Sequence, residues 1–140
     1  MRRVFVDSSG WIALHNRRDD HHAQAEQAFK SLQNTAVRLI TSDYVIDEAL
    51  THIRAWSGHV TAVRFGKIIR RHPLVEWIDV DADIWDAGWD IFVRFDDQEF
   101  SFTDCTSFAI MRERAIWEAF TFDMHFQQMG FQMWPASPSP

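Results

Sequence analysis

Four acids stand where this sequence pattern brings chemistry to one edge of a fold. Arg3-Val4-Phe5-Val6 is a β-branched and aromatic run that climbs to Asp7, after which Ser8, Ser9 and Gly10 break the strand and Trp11-Ile12-Ala13-Leu14 resumes at helical spacing. In an open parallel α/β sheet the carboxyl ends of the strands face the ligand, so an acid at that turn points into a site. Ile116 to Phe122 reads as a second strand, closing at Asp123 on the same edge. Asp104 follows Phe100-Ser101-Phe102-Thr103 at a helix start, where the dipole favours a negative charge. Glu48 lies about a turn and a half into a helix that follows a strand, and leans over the same edge.

Four carboxylates so gathered cannot all stay ionised without a counter-charge. The chain has one cysteine, Cys105, and no paired-histidine spacing, so zinc finds no ligand set; hard divalent cations with oxygen ligands, Mg²⁺ or its substitute Mn²⁺, fit instead. Such an ion keeps waters, lowers the pKa of one of them and steadies charge on a phosphate, which suits phosphodiester hydrolysis. The hydroxyls of Ser8, Ser9, Thr103 and Thr121 stand close to the acids in sequence, where they can orient ligands or waters. Taken singly, an acid after a strand is more often a turn residue or helix cap, so the joint pattern carries the reading.

The elements that must position these acids follow in order. Asp19-Asp20 predicts a cap for a helix closing near Leu32-Gln33-Asn34, and Arg38 to Thr41 a short strand. Ser42 caps a helix whose apolar positions Val45, Ile46, Ala49, Leu50, Ile53 and Trp56 fall at three- and four-residue steps. Gly58 ends it, and another helix runs from His59 to Arg71, before Pro73. Leu74 to Val80 reads as strand, Asp81 as the cap of a helix to Phe95 that buries Ile84, Ala87, Ile91, Phe92 and Phe95, and Asp96 to Glu99 as a loop. A short helix from Met124 to Met129 ends at Gly130, and Phe131 to Trp134 adds a last strand. Strands alternating with helices imply an α/β fold with a mostly parallel central sheet covered on both faces. Residues 1–134 form one domain, and 135–140 a proline- and serine-rich tail expected to be disordered.

At 140 residues the chain suffices for one core, and its net charge of −6 does not announce nucleic-acid binding, though it leaves room for a local excess of carboxylates. No apolar run is long enough for a bilayer and no basic-then-apolar leader opens the chain, so the expectation is a cytoplasmic protein without a membrane partner. Seven Trp and twelve Phe are a heavy aromatic load, for which a dimer or partner surface is the natural outlet.

As a set, Val4-Phe5-Val6-Asp7-Ser8-Ser9, the mid-helix Glu48, Phe100-Ser101-Phe102-Thr103-Asp104-Cys105 and Phe120-Thr121-Phe122-Asp123-Met124-His125-Phe126 resemble the motifs of PIN domains, above all the VapC-type toxins of bacterial toxin–antitoxin pairs. The resemblance spans nearly the whole chain. It implies a three-layer α/β/α domain, a Mg²⁺-dependent ribonuclease that cuts single-stranded or loop RNA, a homodimer, and a small cognate antitoxin that holds it inactive. By match, the acids of the family fall on Asp7, Glu48, Asp104 and Asp123, and its small polar residue on Ser8 or Ser9.

Outside the acids, Arg64, Lys67, Arg70 and Arg71 form a basic helix face, and Arg17-Arg18 a basic loop, either of which can track a phosphate backbone or simply be solvated. His125 stands close enough to Asp123 to reach the site rim and an RNA strand, whereas Cys105 reads as a small buried residue. Trp56, Trp85, Trp89 and Trp117 read as core more often than as a cofactor box, and some can form a groove for an antitoxin helix. Two rival functions remain: a PIN-like module that binds RNA or protein without cutting, and a haloacid-dehalogenase-like phosphatase. The latter wants a second aspartate two positions after the first, where this chain has Ser9.

Overall fold

Strand β1 (Arg2–Val6) is the middle of a five-stranded parallel sheet in the computed structural model, which describes residues 1–136. Its neighbours are β2 (Val37–Ser42) and β4 (Glu118–Phe120), with β3 (Val75–Ile78) beyond the first and β5 (Gln132–Trp134) beyond the second, giving the order β3-β2-β1-β4-β5. Every pairing is parallel, so the expected mostly parallel sheet is parallel throughout. The chain first moves outward from β1 to β3 and then returns across the sheet to β4, so the order reverses between β1 and β4. That is where an open α/β sheet opens a crevice at its carboxyl edge.

Right-handed crossovers put the helices of the two directions on opposite faces. One layer holds α1 (Ser8–His15), α2 (His22–Gln33), α3 (Asp43–Ser57) and α4 (His59–Arg71); the other holds α5 (Ala82–Arg94), α6 (Phe102–Glu113) and the short α7 (His125–Gln128). Val4, Phe5, Val6, Leu39, Ile40 and Phe120 of the sheet are buried between them, with Trp11 and Phe65 in one layer and Phe108 and Phe126 in the other. Among the described residues no helix is long and apolar enough to cross a membrane.

Several caps follow the sequence. The Ser42 and Asp81 side chains accept the backbone N–H of Val45 and Ile84, and Gly130 takes φ +90 after α7. Others differ. The α2 cap is His21 without a side-chain bond, because Asp19 instead accepts the His21 N–H at 2.8 Å in a local turn. The strand expected to reach Phe122 stops at Phe120, since Phe122 and Asp123 turn their N–H groups onto side-chain hydroxyls rather than onto a neighbouring strand.

On α5 the buried stripe is Ile84, Gly88 and Ile91, while Ala87 and Phe92 face outward. The helix sits so close to α6 that a Cβ at residue 88 would meet Thr106 at 3.0 Å, and this contact rotates the apolar face away from the one periodicity suggests. None of the four tryptophans expected in the core is buried: Trp56 is 68% exposed and Trp117 57%, and Trp85 and Trp89 stack on one another in the open at 5.6 Å. Residues 137–140 of the expected disordered tail lie outside the described residues.

Gly10, in the first turn of α1, packs directly on β4: an added Cβ would lie 2.3 Å from Phe120 Cδ1 and 2.7 Å from the Phe120 carbonyl oxygen. Backbone cannot yield as a flexible side chain would. Gly10→Ala is therefore expected to destabilise by about 3 kcal/mol or more, despite alanine's better helix propensity. A denaturant midpoint unchanged by this substitution would contradict the close packing.

Candidate active site

Asp7 follows β1 as the N-cap of α1 and is 2% exposed. Its Oδ2 accepts Ser9 Oγ at 2.9 Å, Thr121 Oγ1 at 3.1 Å and, more weakly, the Ser9 N–H at 3.4 Å. The same hydroxyls accept from the chain that leaves β4: the Phe122 N–H reaches Ser9 Oγ and the Asp123 N–H reaches Thr121 Oγ1, each at 3.0 Å. Ser9 and Thr121 thus tie the end of β1 to the end of β4 and aim the Asp7 carboxylate. Trp11 helps fix the approach of α1, donating its indole N–H to Thr41 Oγ1, which donates in turn to the Val6 carbonyl.

The other acids arrive on separate elements. Asp104 closes a capping box at the start of α6: Ser101 Oγ accepts the Asp104 N–H at 3.0 Å and Asp104 Oδ2 accepts the Ser101 N–H at 3.2 Å. Asp123 lies in the turn before α7, with its Oδ1 accepting the His125 N–H at 2.9 Å. His125 Nδ1 faces both carboxylates, at 3.1 Å from Asp104 Oδ2 and 3.2 Å from Asp123 Oδ1. Glu48 is half-buried on α3 and bonded to the hydroxyl of Ser8.

The expected acids are therefore brought to one edge, with a finer arrangement than spacing alone suggests. Asp104, Asp123 and His125 each offer a ligand atom within 4.8 Å of one another, while Glu48 is held beside Asp7 through the α1 turn. Of the expected hydroxyls, Ser8, Ser9 and Thr121 bond to acids. Thr103 bonds to none of them; its carbonyl instead accepts Thr106 and Ser107 inside α6. Arg17, Arg18, Arg64 and Lys67 are exposed and bond to none of the acids, and Arg70 lies over the Trp77 ring. Sequence reasoning gave His125 only a rim role and missed Ser101; Ser101-x-x-Asp104 and Asp123-x-His125 were the available signals.

Electrostatics give the cluster its character. Burial, then the charges of Asp104, Glu48 and Asp123, push the Asp7 carboxyl up to about 7, against an opposing pull from the Ser9 hydroxyl. Burial also raises Asp104, with the His125 bond working the other way. Cys105, buried beside Asp104, is pushed up to about 11 and is an inert thiol. One atom tests the fit of a cation: Asp7 Oδ1 is a buried oxygen without a hydrogen-bond partner among the described residues. A bare buried carboxylate oxygen on a group that feels further carboxylate charges fits a hard cation.

The PIN domain pattern matches residues 4–132, and the chain belongs to that family. Its relatives include the 23S rRNA-specific endonuclease VapC20 of two Mycobacterium tuberculosis strains, each 38% identical over 128 residues, covering 91% of this chain and 95% of theirs. The crystal structure of that protein, described as a sarcin-ricin loop cleaving toxin, superposes with TM-score 0.85 at 37% identity over 91% of this chain and 95% of that one. VapBC2 of Rickettsia felis, bound to a promoter DNA fragment, shares the fold at TM-score 0.70 and 10% identity, covering 94% of this chain and 96% of that one.

A ligand that binds only the folded state stabilises it by about 2.7 kcal/mol at a hundred times its dissociation constant. Millimolar Mg²⁺ or Mn²⁺ is therefore expected to raise the melting temperature, and to do so no longer in Asp7→Asn/Asp104→Asn. Equal shifts in both proteins would place the cation elsewhere.

Proposed function

We propose that the chain is a divalent-metal-dependent endoribonuclease and the toxin of a toxin–antitoxin pair, with Asp7, Glu48, Asp104 and Asp123 as its metal-holding and catalytic acids. The observation that carries this is the buried, unpartnered Asp7 Oδ1 at the strand-order reversal, on a carboxyl that the charges of Asp104, Glu48 and Asp123 push upward. When bound, Mg²⁺ or Mn²⁺ supplies a low-pKa water and charge stabilisation at a phosphate. The chain does the rest. Ser9 and Thr121 fix the Asp7 carboxylate, Ser8 fixes Glu48, and His125 spaces Asp104 from Asp123 and presents its ring at the rim, where an RNA phosphate approaches.

The kinship with VapC20 supports RNA as substrate, with the sarcin-ricin loop of 23S rRNA as the first sequence to try. It equally supports a cytoplasmic site of action and a cognate antitoxin. The exposed Trp85, Trp89 and Phe92 offer apolar area for that antitoxin or for a second copy in a homodimer. Residues 1–134 would act as one nuclease domain.

The test sets an RNA hairpin beside a small phosphomonoester. Internal RNA cleavage with the phosphomonoester untouched is expected. Turnover of the phosphomonoester would instead indicate a phosphatase, and RNA binding without cleavage would indicate a silent PIN module.

A further inference from the structure

Away from the acids, the four helices of one layer enclose a polar cleft of about 490 Å³, lined by residues that include His15, Arg17, His22, Glu26, Arg64 and Phe65. We propose that this cleft seats one nucleotide of the RNA outside the scissile bond, with Arg17 and Arg64 on its phosphate and the half-buried His15 ring on its base. The proposal rests on the ribonuclease reading above.

The two arginines enter from different elements, the loop after α1 and the second turn of α4. Among the described residues neither side chain forms an ion pair or hydrogen bond. Two unpaired guanidinium forks facing one cleft suit a phosphate, and the hydroxyls of Ser57 and Thr61 line the same space as further donors. Glu26 is the one carboxylate in the lining. Its half-exposed side chain lies 3.1 Å from His22 Nε2, while His22 Nδ1 lies 2.7 Å from the Ala13 carbonyl, so the one acid of the lining has a histidine beside it.

The base side is built differently. The His15 ring meets Phe65 edge-on at 4.8 Å, and neither of its nitrogens has a hydrogen-bond partner among the described residues. Burial, with the charge of His22 second, lowers His15 to about 4, so at neutral pH the ring offers one donor and one acceptor. With the buried Phe65 ring fixing it from behind, a neutral imidazole with a free donor and acceptor suits edge contacts to a splayed-out RNA base.

The cleft also connects to the acids. His21, next to His22, stacks on Phe122 at 4.4 Å and 9°, and Phe122 precedes Asp123. Along α1 the step from Asp7 to His15 is about 12 Å. An RNA strand with its scissile phosphate at the acids therefore reaches the cleft within a few nucleotides.

The test is fluorescence anisotropy of a labelled hairpin carrying the sarcin-ricin loop sequence, in EDTA and across a salt series. Arg17→Ala and Arg64→Ala are each expected to weaken binding several-fold and to flatten the log–log salt slope by about one. His15→Ala should weaken binding with the slope kept. Arg112→Ala, on an exposed part of α6, should leave affinity near that of the unaltered protein. Wild-type affinity and slope in both cleft arginine variants would overturn the proposal while leaving the nuclease reading standing. So would the same variants losing the co-encoded antitoxin but not RNA, which would give the cleft to a protein partner. A wild-type protein that binds no RNA at any salt would overturn both readings.

Discussion

Asp104→Asn is expected to lower the rate of RNA cleavage by roughly 10³-fold or more while the folded protein persists, since losing several kcal/mol of charge stabilisation in the transition state is worth that factor. The substitution keeps an oxygen that can accept the Ser101 N–H, so the capping box and the start of α6 should survive. What it removes is a buried negative charge next to Asp123 and opposite His125. Single-turnover kinetics beside far-ultraviolet circular dichroism separates the two effects. A variant that cleaves at the wild-type rate would remove Asp104 from the chemistry, and one that is unfolded would make its role architectural.

The second large effect concerns stability and runs opposite to intuition for an active-site change. Asp7 titrates near 7 in the folded protein against an ordinary carboxyl value of 3.8. The native state therefore holds a proton that the unfolded chain releases between those values. The contribution of that proton is fully present below about pH 4 and is lost as pH rises through about 7. An asparagine in its place imitates the protonated form and cannot ionise. Asp7→Asn should match the wild-type melting temperature near pH 4 and exceed it at pH 8, by on the order of 4 kcal/mol or roughly 10 °C. Added Mg²⁺ should close much of that gap by stabilising only the wild type. A difference between the two proteins that does not vary with pH would mean that Asp7 is not a strained carboxylate.

The edge at which the acids meet was legible because it depends on local rules: a strand, a break at an acid, then helical spacing. Asp7 obeys them fully. Asp123 was found through a strand drawn too long, and its true setting is a turn whose N–H groups bond to Ser9 and Thr121, residues more than a hundred positions apart. Pairing across that separation leaves no periodic trace. The tryptophans failed for a related reason. Trp85 and Trp89 lie on α5 beside the predicted stripe, and Gly88 brings α6 so close that Ile84 and Ile91 keep the buried face while the two tryptophans are turned outward. His125 was undervalued because its importance lies in reaching Asp104, twenty-one residues away in sequence and on another helix.

The central claim is that these acids make a metal-dependent ribonuclease site, and one measurement meets it directly. Protein freed of metal with a chelator and dialysed is mixed in excess with an end-labelled sarcin-ricin loop hairpin, and Mg²⁺ or Mn²⁺ is then titrated in. The account predicts no cleavage before the ion is added, a single internal cut that appears with it, and no cut at any ion concentration by Asp7→Asn/Asp104→Asn. Cleavage at full rate in chelator, or by the double variant, would contradict it.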